Sequence, residues 1–397
     1  MLRLSIAWMH AKKSNKALSR CLFITVVGLL FSGSCAGRTV DVAIGVNVVN
    51  VDRLSPEQQD DMLKDIRSAG VTVIRSGIPD TDSGVDFARR AYALGIRIDW
   101  IVSFFDAYQT GAPFRVYQKS SYPNMWAGHP LSSLDPVLFK TRFNGMLAKL
   151  EAAGVKLEAL EVGNEINMAG FNADFPVPGE SRQYGLADLD HDPIAQQIGK
   201  GYLQYLKVLE QVRDVRDQSG INRATPILTA GFGAYEGPDG PLGNHAAGLV
   251  SVNATLDFLR AHGLDKWVDG YAIHVYPWSD HPGDISAAEG RSRRLTQYVL
   301  SRCQAAGSTA GKPCWVTEWG FKLRETACPA KDHERVALVK EMMADFRTYA
   351  QQGRLQGLIY FAWNTDPWAK STDPFSLYQC NELTASGRLA LDPSLLR

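Results

Sequence analysis

From about residue 41 the chain alternates short apolar stretches with longer amphipathic ones, and the alternation repeats eight times. The pattern predicts strands over 41–49, 71–75, 97–102, 157–162, 226–230, 267–274, 313–317 and 355–361. Helices fill the gaps. One starts at Ser55, with Pro56 in its first turn and Gln58 three residues on, the spacing of a capping box. Another covers about 194–219, and one covers about 332–352 before Gly353. Three helix-to-strand joints read alike: Ser68-Ala69-Gly70-Val71, Ala93-Leu94-Gly95-Ile96 and Ala152-Ala153-Gly154-Val155. Each puts glycine where a helix ends in a left-handed residue. Strict β–α alternation implies parallel strands joined by right-handed crossovers. Eight such units predict an α/β fold, a single-domain (β/α)₈ TIM barrel with long βα loops. An open doubly wound sheet is the alternative, but Gly45-Val46-Asn47 stands where a glycine-rich phosphate loop would follow the first strand.

The first 36 residues stand apart. Arg3, Lys12, Lys13, Lys16 and Arg20 precede an apolar run, Cys21 to Phe31, which gives way to the small residues 32–37. A basic start, a short apolar core and a small-residue exit predict a secretory signal over 1–36, followed by one catalytic domain over 37–397. The run falls short of the ~20 apolar residues that a stable span needs. Lipidation at Cys35 is the rival fate. Export to the periplasm or beyond is therefore expected. Lys+Arg 42 and Asp+Glu 42 balance in the whole chain, and without the leader the remainder carries about −5. No basic field points to nucleic acid, and a monomer is expected.

Cysteine usage agrees with export. Past the leader there are four: Cys303, Cys314, Cys328 and Cys380. They allow three pairings. Cys328 and Cys380 fall in the loops after strands seven and eight, which neighbour each other on one barrel face. Cys303 and Cys314 flank the turn entering strand seven. The expected bridges are 303–314 and 328–380.

In such barrels the loops after the strands carry the chemistry. The loop after strand three, 104–134, holds Tyr108, Phe114, Tyr117, Tyr122 and Trp126. That after strand four, 166–193, holds Phe171, Phe175 and Tyr184. These aromatics either line a cleft or pack under their own loops. Strand four ends in Glu161-Val162-Gly163-Asn164-Glu165, and strand seven in Thr317-Glu318-Trp319-Gly320. Strands four and seven face each other across the mouth, so Glu165 and Glu318 are aimed at one space. Two facing carboxylates are what cleavage of a glycosidic bond requires: one protonates the leaving oxygen and one attacks the anomeric carbon. Strict alternation puts Asn164 and Glu165 on opposite faces, so the chain must bend there if both serve one site.

Four islands, in order at the ends of strands four, six, seven and eight, then give a resemblance: Gly163-Asn164-Glu165, His274-Val275-Tyr276, Thr317-Glu318-Trp319-Gly320 and Phe361-Ala362-Trp363-Asn364. The sequence resembles the clan A retaining glycoside hydrolases, (β/α)₈ enzymes that include family 5 cellulases and mannanases, family 39 β-xylosidase-like enzymes and family 53 galactanases. Motif order covers about 41–365. The resemblance implies Glu165 as general acid/base and Glu318 as nucleophile. It implies Asn164 on the sugar 2-hydroxyl, Tyr276 bonded to Glu318, His274 beside them, and Arg75 behind the nucleophile. It also implies Trp363 as a stacking platform and Trp319 as a further substrate contact. The expected substrate is a polysaccharide or oligosaccharide with β-linkages, with no cofactor. A catalytically inactive or transglycosylating carbohydrate-binding barrel is the alternative. A metal-dependent hydrolase has little support, because no His-x-His or His-Glu-x-x-His occurs.

Overall fold

The structure is a computed structural model, and it describes residues 42–116, 127–176, 182–234, 236–237, 240–241, 248–276, 285–323, 328–363 and 374–397. The leader, Cys35, the loop aromatics Tyr117, Tyr122 and Trp126, and Asn364 lie outside the described residues. The strands are β1 (Ala43–Asn47), β2 (Val73–Gly77), β3 (Arg97–Val102) and β4 (Ala159–Val162), then β5 in two segments (Ile227–Leu228 and Phe232–Ala234). β6 (Tyr271–Val275), β7 (Cys314–Trp319) and β8 (Leu355–Tyr360) complete the set. Between them run α1 (Pro56–Ser68), α2 (Asp82–Ala93), α3 (Pro136–Ala152), α4 (Pro193–Gln218), α5 (Val252–Ala261), α6 (Ile285–Leu300) and α7 (His333–Gln351).

All neighbours in this sheet are parallel. β1 pairs with both β2 and β8, while the two segments of β5 pair with β4 and with β6. The two ends of the strand order thus belong to one broken strand, and the sheet closes into the expected (β/α)₈ barrel. Where β5 breaks, the Ala272 N–H donates to Thr229 Oγ1 (2.8 Å), so a side chain stands in for the missing ladder bond.

The local signals hold. The Gln58 N–H donates to Ser55 Oγ, and the Ser55 N–H donates back to Gln58 Oε1 at 2.9 Å, closing the capping box. Gly70, Gly95, Gly154 and Gly353 all have positive φ, between 69° and 84°. Several strands are shorter than the sequence suggests, because the flanking apolar residues sit in the joints rather than the ladder. The outer faces of the strands pack on the helices: Trp100 of β3 stacks on Phe143 of α3 with centroids 5.7 Å apart. Inside, Ala43, Ala159, Leu228 and Ala272 surround the large ring of Trp315. Any side chain at Gly357 would collide with that ring. One tryptophan thus fills the floor that four small or medium residues leave open, and the polar layer above it carries the site.

The bridges are Cys303–Cys314 and Cys328–Cys380, as expected. The loops after β3 and β4 are tied together: the Arg115 guanidinium donates to the carbonyls of Ala169 (2.5 Å), Asn172 (3.3 Å) and Phe175 (2.7 Å). Phe175 and Tyr184 are buried under these loops, whereas Phe114 is 56% exposed. Of those three aromatics, only Phe114 offers a large surface to solvent. Among the described residues no helix is long and apolar enough to cross a membrane.

Candidate active site

The polar layer is built from charged residues set inside otherwise apolar strands. Asn47 and Arg75 are paired in the β1–β2 register, and Arg75 and Asp99 in the β2–β3 register, so all three share the inner face. Glu161 lies two residues beyond Ala159 of the floor and faces the same way.

Arg75 is the centre. Its Nε donates to Glu161 Oε2 (2.9 Å) and its Nη2 to Glu161 Oε1 (2.6 Å), a bidentate pair. Nη1 donates to Glu318 Oε1 (2.5 Å) and to Asn47 Oδ1 (2.8 Å). Nη2 also donates to Asn164 Oδ1 (2.8 Å). The Tyr276 hydroxyl donates to Glu318 Oε2 (2.5 Å), so both oxygens of Glu318 accept hydrogen bonds, the arrangement of a carboxylate. His274 Nδ1 lies 2.8 Å from Glu165 Oε1, and its Nε2 lies 3.7 Å from Glu161 Oε1. One ligand-type atom each from Glu165, His274 and Glu318 fall within 4.8 Å of one another, so the two carboxylates approach that closely. Such a trio has the spacing to hold a metal ion. Arg75 already supplies a cation against Glu318.

Two backbone irregularities aim these carboxylates. After β4 ends at Val162, Gly163 (φ 89°) and Glu165 (φ 43°) both take left-handed conformations. That is the bend that Asn164 and Glu165 needed to face one space, and for glutamate it is an uncommon conformation held by its surroundings. The Glu165 N–H is fixed by the Ala230 carbonyl at 2.6 Å. In β7 the register slips: Ile273 pairs with Val316, but His274 pairs with Glu318, leaving Thr317 as an extra residue. Without that bulge, strict alternation from the inward Trp315 would turn Glu318 outward. The bulge turns it into the mouth.

The same slip corrects one expectation. Trp319, one residue on, points outward, is 0% exposed, and packs edge-on against Phe346 of α7 (5.2 Å) and Tyr360 (4.9 Å). It is a core residue between barrel and helix and makes no surface for a substrate. Trp363 also differs from its expected role as an open platform. It is 2% exposed and one face is stacked on Tyr378 at 4.7 Å, so its indole presents almost no free area. Arg75, Asn164, Glu165, His274, Tyr276 and Glu318 are brought together. Asn47, Asp99 and Glu161 join them, and sequence reasoning had not singled them out.

The surroundings drive the carboxyls apart. Burial pushes Glu165 above the ordinary carboxylate range, and the charge of Glu318 adds to this against the pull of His274. Burial also raises Glu161, but the Arg75 charge and its two hydrogen bonds, with His274 nearby, outweigh it and hold that carboxyl low. Asp99 is pushed well up, by burial first and then by the Glu161 charge. Neither of its oxygens has a hydrogen-bond partner, which suits a neutral acid. Burial alone pulls the His274 imidazole down. The Glu318 charge, the nearby Glu161 carboxylate and the hydrogen bond to Glu165 overcome it and raise the ring to about 9.

A stability prediction follows. His274 binds its proton more tightly folded (about 9) than unfolded (~6.5), so its stabilising contribution is complete below ~6.5 and lost as pH rises through about 9. Buried Asp99 and Glu165, with raised values, act in the same direction from the carboxylate range upward. Melting temperature should fall between about pH 6.5 and 9, as scanning calorimetry in matched ionic strength would record. A flat or rising profile there contradicts the charged histidine.

No protein-family model matches the sequence, and no curated protein matches it. Solved structures do match in fold. Fungal β-1,4-galactanases are 13% identical over 87% of this chain and 93% of theirs, with a TM-score of 0.51. A broad-specificity endoglucanase from Clostridium acetobutylicum is 11% identical over 89% of this chain and 98% of its own, with a TM-score of 0.50. An exo-β-1,4-mannosidase from Opitutaceae bacterium strain TAV5 is 12% identical over 89% of this chain and 59% of its own, also at 0.50. The fold is thus the (β/α)₈ barrel that these glycoside hydrolases have. At such identities the likeness is one of fold.

Proposed function

We propose that the chain is a retaining glycoside hydrolase that cleaves β-linked bonds of a polysaccharide or oligosaccharide. The observation that carries this reading is the approach of Glu165 and Glu318, within 4.8 Å, in surroundings of opposite kind. Retaining enzymes hold their carboxyls about 5–5.5 Å apart, whereas inverting enzymes leave room for a water between theirs. Glu165, buried and raised, starts protonated and gives its proton to the leaving glycosidic oxygen. Glu318, held by Arg75 and Tyr276, attacks the anomeric carbon, and the carbon–oxygen bond to the leaving group breaks. The resulting glycosyl ester on Glu318 is then hydrolysed by a water whose proton Glu165 takes. Asn164, with its oxygen fixed on Arg75, has its amide nitrogen left to meet a sugar hydroxyl. The fold comparisons support the substrate class, since the galactanases, the endoglucanase and the mannosidase named above are carbohydrate-active. Export belongs to the same reading, on the leader and the two bridges.

The test is a screen of 2,4-dinitrophenyl glycosides and plant and bacterial polysaccharides. NMR of the first-formed sugar should show the starting anomeric configuration. Mass spectrometry after rapid quenching should find a sugar on the peptide containing Glu318. An inverted product would reject the double displacement.

A further inference from the structure

Glu161 is wholly buried, and no step of the proposed reaction uses it. A buried carboxylate is costly unless it is paired, and a pair this deep rarely stabilises more than well-packed apolar residues do. Its contacts point to a role beyond packing. Both its oxygens hold one edge of the Arg75 guanidinium (2.9 and 2.6 Å). The guanidinium is planar and rigid, so fixing that edge fixes where the remaining N–H groups aim, here at Glu318, Asn47 and Asn164. Glu161 Oε1 also lies 3.7 Å from His274 Nε2, while the other nitrogen of that ring reaches Glu165. The backbone beside this contact is bare. Gly231, in the break of β5 with φ 55°, sits where any Cβ would run into both His274 Nε2 and Glu161 Oε1.

We propose that Glu161 is a positioning residue that orients Arg75 behind the nucleophile and keeps His274 cationic beside the acid, so linking the two catalytic carboxyls from below. The charges balance on this arrangement. Arg75 and His274 are positive, Glu161 and Glu318 negative, and Glu165 neutral with its proton available. The groups facing Glu161 are Arg75 from β2, Asp99 from β3, His274 from β6 and, from α4, Tyr205, whose hydroxyl donates to the Val162 carbonyl at 3.0 Å. Those facing Glu165 are His274, Glu318 and Arg75. Those facing His274 are Glu161, Glu165 and Glu318 at 3.7, 2.8 and 3.6 Å, which favour its charge, and Arg75, whose Nη2 lies 3.2 Å from Nε2 and opposes it. Removing the Glu161 charge leaves two cations uncompensated, which lowers the proton affinity of His274 and of Glu165 together.

The kinetic part of the test rests on the hydrolase reading, and the spectroscopic part does not. The full chain is labelled with ¹⁵N-histidine, and the His274 signals are assigned by their absence from His274→Gln. In the wild type both ring nitrogens should remain protonated at pH 8. In Glu161→Gln the imidazole should titrate lower by about one unit or more, the order expected when a neighbouring full charge is removed from a buried site. The basic limb of kcat/KM on a natural oligosaccharide should move to lower pH by a similar amount, with KM nearly unchanged. A ring that is neutral at pH 7 in the wild type overturns the proposal. So does a folded Glu161→Gln protein whose His274 and pH profile match the wild type, since a purely structural salt bridge predicts that. If that variant fails to fold, Glu161→Asp takes its place: it keeps the charge but shortens the reach to Arg75 and His274, and a His274 titration and pH profile identical to the wild type overturn the proposal. Absence of any glycosidase turnover in the wild type would refute the hydrolase reading and leave the histidine titration standing.

Discussion

Replacing Glu318 by glutamine should lower kcat on every glycoside by about 10⁴-fold or more while leaving KM within a few-fold of the wild type. The amide has the shape of the carboxylate but no charge, and it cannot form the glycosyl ester. The fold should survive. Arg75 keeps its bidentate partner Glu161 and its bond to Asn47, and the Tyr276 hydroxyl still finds an acceptor in the amide oxygen. The variant therefore separates chemistry from assembly: an intact near-ultraviolet circular dichroism spectrum with no turnover is the expected pair of results. Retention of even one tenth of wild-type kcat would remove Glu318 from the reaction. The loss should also be blind to the leaving group, because dinitrophenolate needs no proton but still needs a nucleophile at the carbon it leaves.

That the chain folds as a barrel was legible because its signals are local. Glycines at 70, 95 and 154 end helices in the left-handed conformation, and each stands a short joint before the next strand. The bend at Glu165 was legible only as a condition: two adjacent polar residues could share one space only if the chain bent between them. The bulge at Thr317 was not, although Glu318 depends on it as much. No glycine or proline marks it, and the register slip is visible only against β6 and β8. Trp319, expected at the substrate from the resemblance alone, is turned out onto α7 by the same extra residue that turns Glu318 in. Trp363 matched by position alone, and position does not report that Tyr378 covers one of its faces. Glu161 and Asp99 are a different case. A carboxylate within Ala159–Val162 or among the buried residues of Arg97–Val102 is a visible anomaly. Its meaning was hidden because the partners of Arg75 lie 86 and 243 residues away in sequence. Register brings them together.

Glu165→Ala should separate substrates by their leaving groups. For a natural oligosaccharide, whose departing alkoxide needs a proton, kcat/KM should fall by about 10²–10⁴-fold, the usual worth of a positioned general acid. For a 2,4-dinitrophenyl glycoside, kcat/KM should stay within about tenfold of the wild type, because the first step needs no acid. Its kcat should fall further, since water must then attack the glycosyl ester without a base, and the ester should accumulate on Glu318. The truncation removes a carboxyl that burial pushes toward its neutral form, and it leaves a small gap beside His274. Azide can enter that gap and needs no base. It should restore turnover of the dinitrophenyl substrate and give a glycosyl azide with the starting configuration, because it displaces Glu318 from the opposite face. The stereochemistry makes the assignment specific to position. If the two carboxyls had the reverse roles, azide added to Glu165→Ala would attack the substrate directly and give the inverted azide. Equal losses on both substrates, with no azide product, would mean that Glu165 does not protonate the leaving group. The acid would then have to come from elsewhere in the layer, where the charged ring of His274 is the nearest donor.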